Sequence, residues 1–289
     1  MPLGAHVSTA GGLSTCVPRA EAMAAECMQI FLSAPQRWQH PNHSDEQVQE
    51  FERLVGEAKI GPNYAHATYL VNLAAGDPTI REKSIDNLSA SAAWADRVGL
   101  AGVVVHVGSG RGQSVADAEA QVASALEEVL ARGGQGMILL ENSAGSGEYL
   151  GSRFEQIGNL MARLGRDARL GLCLDTAHTF ASGYDLRVDE GIQRAVDEVS
   201  EFIGIERLKV IHANDSKVGL NSAVDRHENI GKGQLGEDAF RRLLAQPALK
   251  SAAWVLEVPG YDDKGPDKPN LDALKRLAGR KTGPRNAGR

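Results

Sequence analysis

A closed (β/α)8 TIM barrel, formed as a single domain, is the fold this sequence predicts, and three observations predict it. Short apolar strands alternate with amphipathic helical segments along the whole chain. Eight such strand–helix units can be counted. Neither a GxGxxG turn nor a Walker loop, the marks of an open nucleotide-binding sheet, occurs. Strict alternation implies parallel strands, because a parallel neighbour needs a crossover long enough to hold a helix. About 250 residues is ordinary for one such barrel. The 289-residue chain shows no shift in composition that would divide it. Residues 1–278 are expected to form the barrel domain, and the basic, glycine-containing segment 279–289 a disordered tail.

The units follow in order. The first strand is Leu3–His6, with a helix expected over Ser14–Glu26. The second is Met28–Leu32. The polar loop SAPQRWQHPN then leads to a helix that starts after Ser44, where Gln47 completes a capping box, and runs to about Ala58. The third strand is Asn63–His66, followed by ATYLVNLAAGD and a helix from Pro78 to Val98, with proline in its first turn. The fourth is Gly102–His106, then VGSGRGQ and a helix from Val115 to Ala131. The fifth is Met137–Glu141, then NSAGSGEYLGS and a helix to Leu164. The sixth is Leu170–Asp175, with its helix over Val188–Phe202. The seventh is Leu208–His212, followed by the longest loop and a helix over Glu237–Leu244. The eighth is Ala253–Glu257, with a last helix over Leu271–Leu277.

Composition narrows the function classes. The chain is 42% hydrophobic and 24% charged, enough to bury a large core. No run approaches the ~18 apolar residues of a membrane span, and the N-terminus lacks the basic region and apolar core of a signal peptide. The cytoplasm is the expected compartment, with no membrane partner. Three cysteines (Cys16, Cys27 and Cys173) without a CxxC read as reduced and structural; Cys173, two residues before Asp175, should pack inside the sheet, a catalytic thiol being the sharper alternative. The formal charge of −6 argues against generic nucleic-acid binding by a basic surface. Three divalent cations would offset that charge at one place, so a phosphate-bearing substrate is not excluded.

The strand ends carry the chemistry. Strands three to eight finish in His66, His106, Glu141, Asp175, His212 and Glu257, each after an apolar run such as VVVH, ILLE or WVLE. In a barrel these ends converge on one mouth, where active sites lie. Asp175 followed by His178 could, alone, be a helix cap and a surface imidazole. Six consecutive strands ending in a metal-competent residue are beyond chance, and capping does not explain the histidines. His178 joins the set, as do Asp225 and His227, whose spacing of two puts both on one side of an extended segment. Five histidines and four carboxylates are too many for one four-coordinate zinc and suit a cluster of two or three ions with a bridging carboxylate. His6, at the end of strand one, stands just outside and could support it. Imidazole with carboxylate and no thiolate favours zinc, with manganese or iron as alternatives. Ions about 4 Å apart activate water and hold the attacking and leaving oxygens of a phosphodiester. Metal-assisted hydrolysis, of a phosphate ester first, is the chemistry these residues imply. Around the same mouth, Gln36 and Arg37 beside Trp38, and Tyr69 with Leu70 and Asn72, offer groups that can enter a groove and unstack a base pair. Lys217, Arg226, Asn229 and Lys232 can hold phosphates.

These residues resemble a known family. GAHVSTAGGL, HATYLVNLA, LENSAG, LDTAHTFASGYDL, HANDSK, DRHENIGKG and LEVPG are similar to the motifs of endonuclease IV, the zinc-dependent abasic-site endonuclease of base excision repair. The likeness spans all but the tail. It implies a TIM barrel with three zinc ions per monomer: one on His66, His106 and Glu141; one sharing Glu141 and adding Asp175, His212 and Glu257; one on His178, Asp225 and His227. It implies Glu257 and Glu141 as catalytic residues, with water activated at the cluster and oriented by Glu257 attacking the phosphate 5′ to an abasic sugar. The products would be a 3′-hydroxyl and a 5′-deoxyribose phosphate, and blocked 3′ ends would also be trimmed. Arg37 and Tyr69 would enter duplex DNA at the lesion. The family default is a monomer. Val107, Ala213 and Val258 depart from the residues many members carry beside the ligands; they bear on tuning and side activities. A sugar isomerase or epimerase of the related xylose-isomerase-like barrels is the alternative: it would need only Glu141, Asp175, His212 and Glu257. A DNA-lesion binder without catalysis would need no intact ligand set.

Overall fold

The structure, a computed structural model, describes residues 1–282. Its barrel strands are β1 (Leu3–His6), β2 (Met28–Phe31), β3 (Tyr64–His66), β4 (Gly102–His106), β5 (Met137–Glu141), β6 (Leu170–Asp175), β7 (Leu208–His212) and β10 (Ala253–Leu256). They close in the order β1-β10-β7-β6-β5-β4-β3-β2, every pair parallel. Two short strands, β8 (Asp215–Ser216) and β9 (His227–Glu228), pair as an antiparallel hairpin inside the long loop after β7. The helices α1 (Cys16–Ala22), α2 (Asp45–Ala58), α3 (Pro78–Arg97), α4 (Val115–Arg132), α5 (Phe154–Arg163), α7 (Asp189–Glu198), α8 (Gly236–Ala245) and α9 (Lys268–Leu277) follow the barrel strands, and α6 (Thr176–Ala181) adds a single extra turn and a half.

Strand periodicity of two sorts the side chains into two cores. Outward residues pack with the helices in one large cluster that includes Leu3, Ile30, Val103, Ile138 and Leu172. Inward residues form a second, separate cluster: Cys27, Tyr64, Val104, Leu139, Cys173, Val210, Ala253 and Val255. Two positions beyond Tyr64, Val104, Leu139, Cys173, Val210 and Val255 stand His66, His106, Glu141, Asp175, His212 and Glu257. The apolar layer is thus the floor on which the polar layer rests. β1 and β2 continue the same two rows with Gly4/His6 and Cys27/Gln29. Gly4 has no alternative, since a Cβ there would lie 1.8 Å from the carbonyl oxygen of Cys27.

Most expected elements stand within one to three residues of their expected ends. The Ser44 capping box forms as read, with the Ser44 hydroxyl accepting from Gln47 N–H and the Gln47 side chain accepting from Ser44 N–H. Four differences have local causes. The helix after β1 stops at Ala22, because Ala24 takes a left-handed φ of 58°. α6 is a helix beyond those expected, at the point where Asp175 could read as a cap; Asp175 does cap it, accepting the His178 N–H, and all six of its residues are buried. The helix expected to reach Phe202 leaves α geometry at Glu198 for a wider π turn over Val199–Ile203. α9 starts at Lys268, three residues before expectation, because Asp267 caps it and Pro269 fits the first turn. All three cysteines are buried and none is in a disulfide, as expected. Of the tail, Arg280 is anchored on Glu26 and the Met1 carbonyl; residues 283–289 lie outside those described. Among the described residues no helix is long and apolar enough to cross a membrane.

Candidate metal centre

Parallel strands deliver their C-terminal ends to one rim, and register decides which ends touch. His106 is paired with Glu141 across β4 and β5, and Asp175 with His212 across β6 and β7. The ligand-capable atoms gather in three connected groups. His66, His106 and Glu141 form one; Glu141, Asp175, His212 and Glu257 a second; Asp175, His178 and His227 a third, the atoms of each lying within 4.8 Å of one another. Glu141 therefore bridges the first two groups and Asp175 the second and third. Asp225, expected with His178 and His227, places Oδ1 3.2 Å from Nε2 of each. Cys173 also comes near Glu141 and His212, but burial pushes its thiol up to about 12, leaving it a neutral member of the floor.

Three of the imidazoles present a defined nitrogen. His66 Nδ1 meets the Ala67 carbonyl at 2.7 Å, His178 Nδ1 the Asn142 carbonyl at 2.9 Å, and His227 Nδ1 the Glu257 carbonyl at 3.4 Å. A carbonyl only accepts, so Nδ1 carries the hydrogen and the Nε2 lone pair faces inward. Nε2 of His178 and of His227 is buried and makes no hydrogen bond. Lone pairs and carboxylate oxygens that face one another at 3 to 4 Å repel unless a cation lies among them. The donor set therefore fits metal ions. Without metal, protons must serve. Burial disfavours charge on His178, but Asp175 and then Asp225 outweigh it and push the ring up to about 10; the same balance pushes His227 up to about 9. Burial also works against ionisation of Glu257, yet His212 and His6 hold its carboxyl well below the usual range.

A cavity of about 990 Å³ opens over the cluster, walled by Phe31, Tyr69, Arg226, Glu257 and Lys264 among others. A smaller one of about 400 Å³ lies beside it, between Tyr69, Ser143, Tyr149 and Arg226. Residues 17–279 match the family described as xylose isomerase-like TIM barrel. The chain is 40% identical over 280 residues to a probable endonuclease 4 of Oleidesulfovibrio alaskensis, covering 96% of this chain and 95% of that one. The crystal structure of endonuclease IV from Thermus thermophilus superposes with a TM-score of 0.85 at 35% identity, covering 96% of this chain and 98% of that one.

The chain belongs to the endonuclease IV family.

A D-tagatose 3-epimerase-like protein also superposes, with a TM-score of 0.69 at 18% identity over 96% of this chain and 97% of that one, a likeness of fold alone. The loop residues expected at the DNA interface divide into two sets. Gln36 and Arg37 are exposed at the end of β2. Tyr69 is 61% exposed; its N–H donates to the Pro35 carbonyl at 3.0 Å, which ties its loop to that of Arg37, and its ring meets the edge of Phe31 at 5.2 Å. Lys217 and Arg226 are exposed on facing arms of the hairpin, joined by Lys217 N–H to Arg226 carbonyl at 2.9 Å. Lys232 is exposed beside Glu237 and Tyr261, in a separate hollow. Asn72 and Asn229 turn inward instead. Asn72 accepts from Ala74 and Ser109 N–H and donates to the Ser109 carbonyl. Asn229 is buried, accepting from Asn270 and donating to Gly260. Both hold loops from within rather than facing the mouth.

Sequence reading passed over four residues that organise the site. Asn142 accepts the Asp175 N–H at 2.7 Å and donates to Thr179. Asn214 donates to Asp175 Oδ2 at 2.7 Å and accepts the Glu257 N–H at 2.9 Å. Asp215, fully buried, accepts the N–H groups of Ser216, Gly233, Leu235 and Gly236, which fastens the hairpin loop to the barrel. Gln29 touches Glu257 and His212. The available signal was position: each follows a strand end or occupies the same inward row as the ligands.

Proposed function

We propose that the chain is an abasic-site endonuclease that hydrolyses the phosphodiester 5′ to an abasic sugar in duplex DNA, leaving a 3′-hydroxyl and a 5′-deoxyribose phosphate, and that it also trims blocked 3′ ends. The observation that carries this reading is the joining of three ligand groups into one cluster through Glu141 and Asp175, in a chain of the endonuclease IV family. The cluster suits three zinc ions per monomer, with manganese or iron able to replace zinc at some positions. Bound there, ions would lower the pKa of a water and neutralise charge on the attacking and leaving oxygens.

The residues of the chain do the rest. Glu257 stays ionised at neutral pH, which suits it to orient and polarise the attacking water. Glu141, buried between two groups, keeps the ligand atoms of both in register. Tyr69 and Arg37, on loops tied to each other, are suited to entering the duplex where no base opposes them; extrusion costs least there. Gln36, Lys217, Arg226 and Lys232 are exposed cations and donors for the DNA backbone, while Asn72 and Asn229 support their loops. Residues 1–278 act as one catalytic unit, a monomer working on DNA in the cytoplasm at the nucleoid.

A duplex oligonucleotide with one tetrahydrofuran abasic analogue tests the proposal. One cut 5′ to the analogue, abolished by chelator and restored by zinc, is expected. An intact duplex would overturn it; sugar isomerisation in its place would point to the epimerase-like relatives.

A further inference from the structure

Five of the eight barrel strands end in a candidate ligand and a sixth, β10, is followed directly by Glu257; β1 and β2 end in none, and they supply His6 and Gln29 to the same inward row. The Gln29 side chain is fully buried, yet each of its polar atoms has a partner. One side of its amide lies 2.6 Å from Glu257 Oε1; the other lies 3.0 Å from His212 Nε2. A carboxylate only accepts, so the amide nitrogen must face Glu257 and the oxygen must face His212. His6 Nδ1 stands beside the pair, 3.0 Å from the amide nitrogen and 3.2 Å from Glu257 Oε1.

This orientation has a consequence for the cluster. Facing an acceptor, His212 Nε2 carries the hydrogen. Its lone pair is therefore on Nδ1, which lies 3.0 Å from Glu141 Oε1 and 3.2 Å from Glu257 Oε2. The other oxygen of Glu257 is the one Gln29 holds. We propose that Gln29 is a positioning residue for the second metal group: it selects the His212 tautomer that turns Nδ1 to the ion, and it pins Glu257 so that Oε2 points the same way. The inference rests on the reading of Glu141, Asp175, His212 and Glu257 as a metal site. Partners of this kind commonly contribute ~10–100-fold to metal affinity or activity.

The test uses the full chain, stripped by chelator and titrated with cobalt(II), alongside incision of abasic duplex. Gln29→Met preserves length but removes the amide's hydrogen bonds to Glu257 and His212. It should weaken one ion by about 10–100-fold, leave the others at wild-type affinity, and lower kcat with little change in KM. Gln29→Glu retains an acceptor for His212 and loses the donor to Glu257. It should recover most of the affinity while kcat stays low. Wild-type titrations and kcat in both variants would overturn the assignment, and so would equal weakening of every ion together with a lower Tm, the signature of a merely structural role. If both variants lose affinity alike, the tautomer half of the assignment fails. A wild-type chain that binds cobalt but leaves abasic DNA intact would sink the functional reading alone, since the cobalt titrations still decide the role of Gln29.

Discussion

Asp175 Oδ1 accepts the backbone N–H of His178 at 2.8 Å, while Asp175 Oδ2 lies 3.5 Å from His227 Nε2 and 3.9 Å from His212 Nδ1. One carboxylate thus caps α6 and faces two ligand groups. The helix that it caps is the one that carries His178, so the cap sets where the third group stands relative to the second.

Asp175→Asn separates these duties. Asparagine caps as well as aspartate, so Tm should change little. The lost charge should remove at least one ion from the purified protein and lower incision by about two orders of magnitude or more. Elemental analysis beside a melting curve checks it; full metal content with full activity would refute the bridging role.

Glu257→Gln keeps the size of the side chain and removes its negative charge. Incision should fall by about 10²–10³-fold, the scale of one lost charge aimed at the reacting centre, while affinity for abasic duplex stays close to wild type. Single-turnover cleavage and an equilibrium binding assay separate the two. Undiminished cleavage would sink the role given to this carboxylate.

Tyr69→Ala removes the ring that overhangs Phe31 and both cavities. Binding to abasic duplex should weaken by roughly 10–100-fold, the scale of one lost aromatic–base stacking contact. Metal content should not change, because Tyr69 meets the cluster as a ring 6.2 Å from that of His66 and is not one of its ligands. Unaltered binding would remove it from the DNA interface.

The metal-free protein should depend on pH in a particular direction. His178 is pushed up to about 10 and His227 to about 9 by Asp175 and Asp225 against the opposing effect of burial. Folded-state values above the ordinary 6.5 mean that this stabilisation is complete below pH 6.5 and is lost as pH rises through 9 to 10. Metal needs the neutral rings, so ion binding displaces protons and tightens over the same interval. Melting curves of chelated and zinc-loaded protein should therefore diverge by several degrees as pH climbs from 6.5 to 9. Parallel curves would show that these imidazoles are not the protonated partners of the carboxylates.

The strands and their last residues were legible because both are local signals. A run such as KVIH encodes a buried strand and the end at which it stops, and alternation with helices forces all such ends to one face. α6 and the β8–β9 hairpin were not legible: TAHTFA is too short to display a helical period, and a two-residue strand carries no alternation at all. Asn72 and Asn229 look like any exposed loop amide until their partners, Ser109 and Asn270, arrive from distant segments.

By itself, then, the sequence determined the barrel, the mouth and the residue types that line it. Only the tertiary structure decided which of those residues stand within ligand distance of one another, that Asp175 joins two groups, which nitrogen His66, His178, His212 and His227 turn inward, and that Gln29 on a ligand-free strand contacts both His212 and Glu257. The physical reason is range. Periodicity and capping act within a few residues, whereas ligand sharing and tautomer choice depend on distances of a few ångströms between strands more than 30 residues apart, set by register and closure of the sheet.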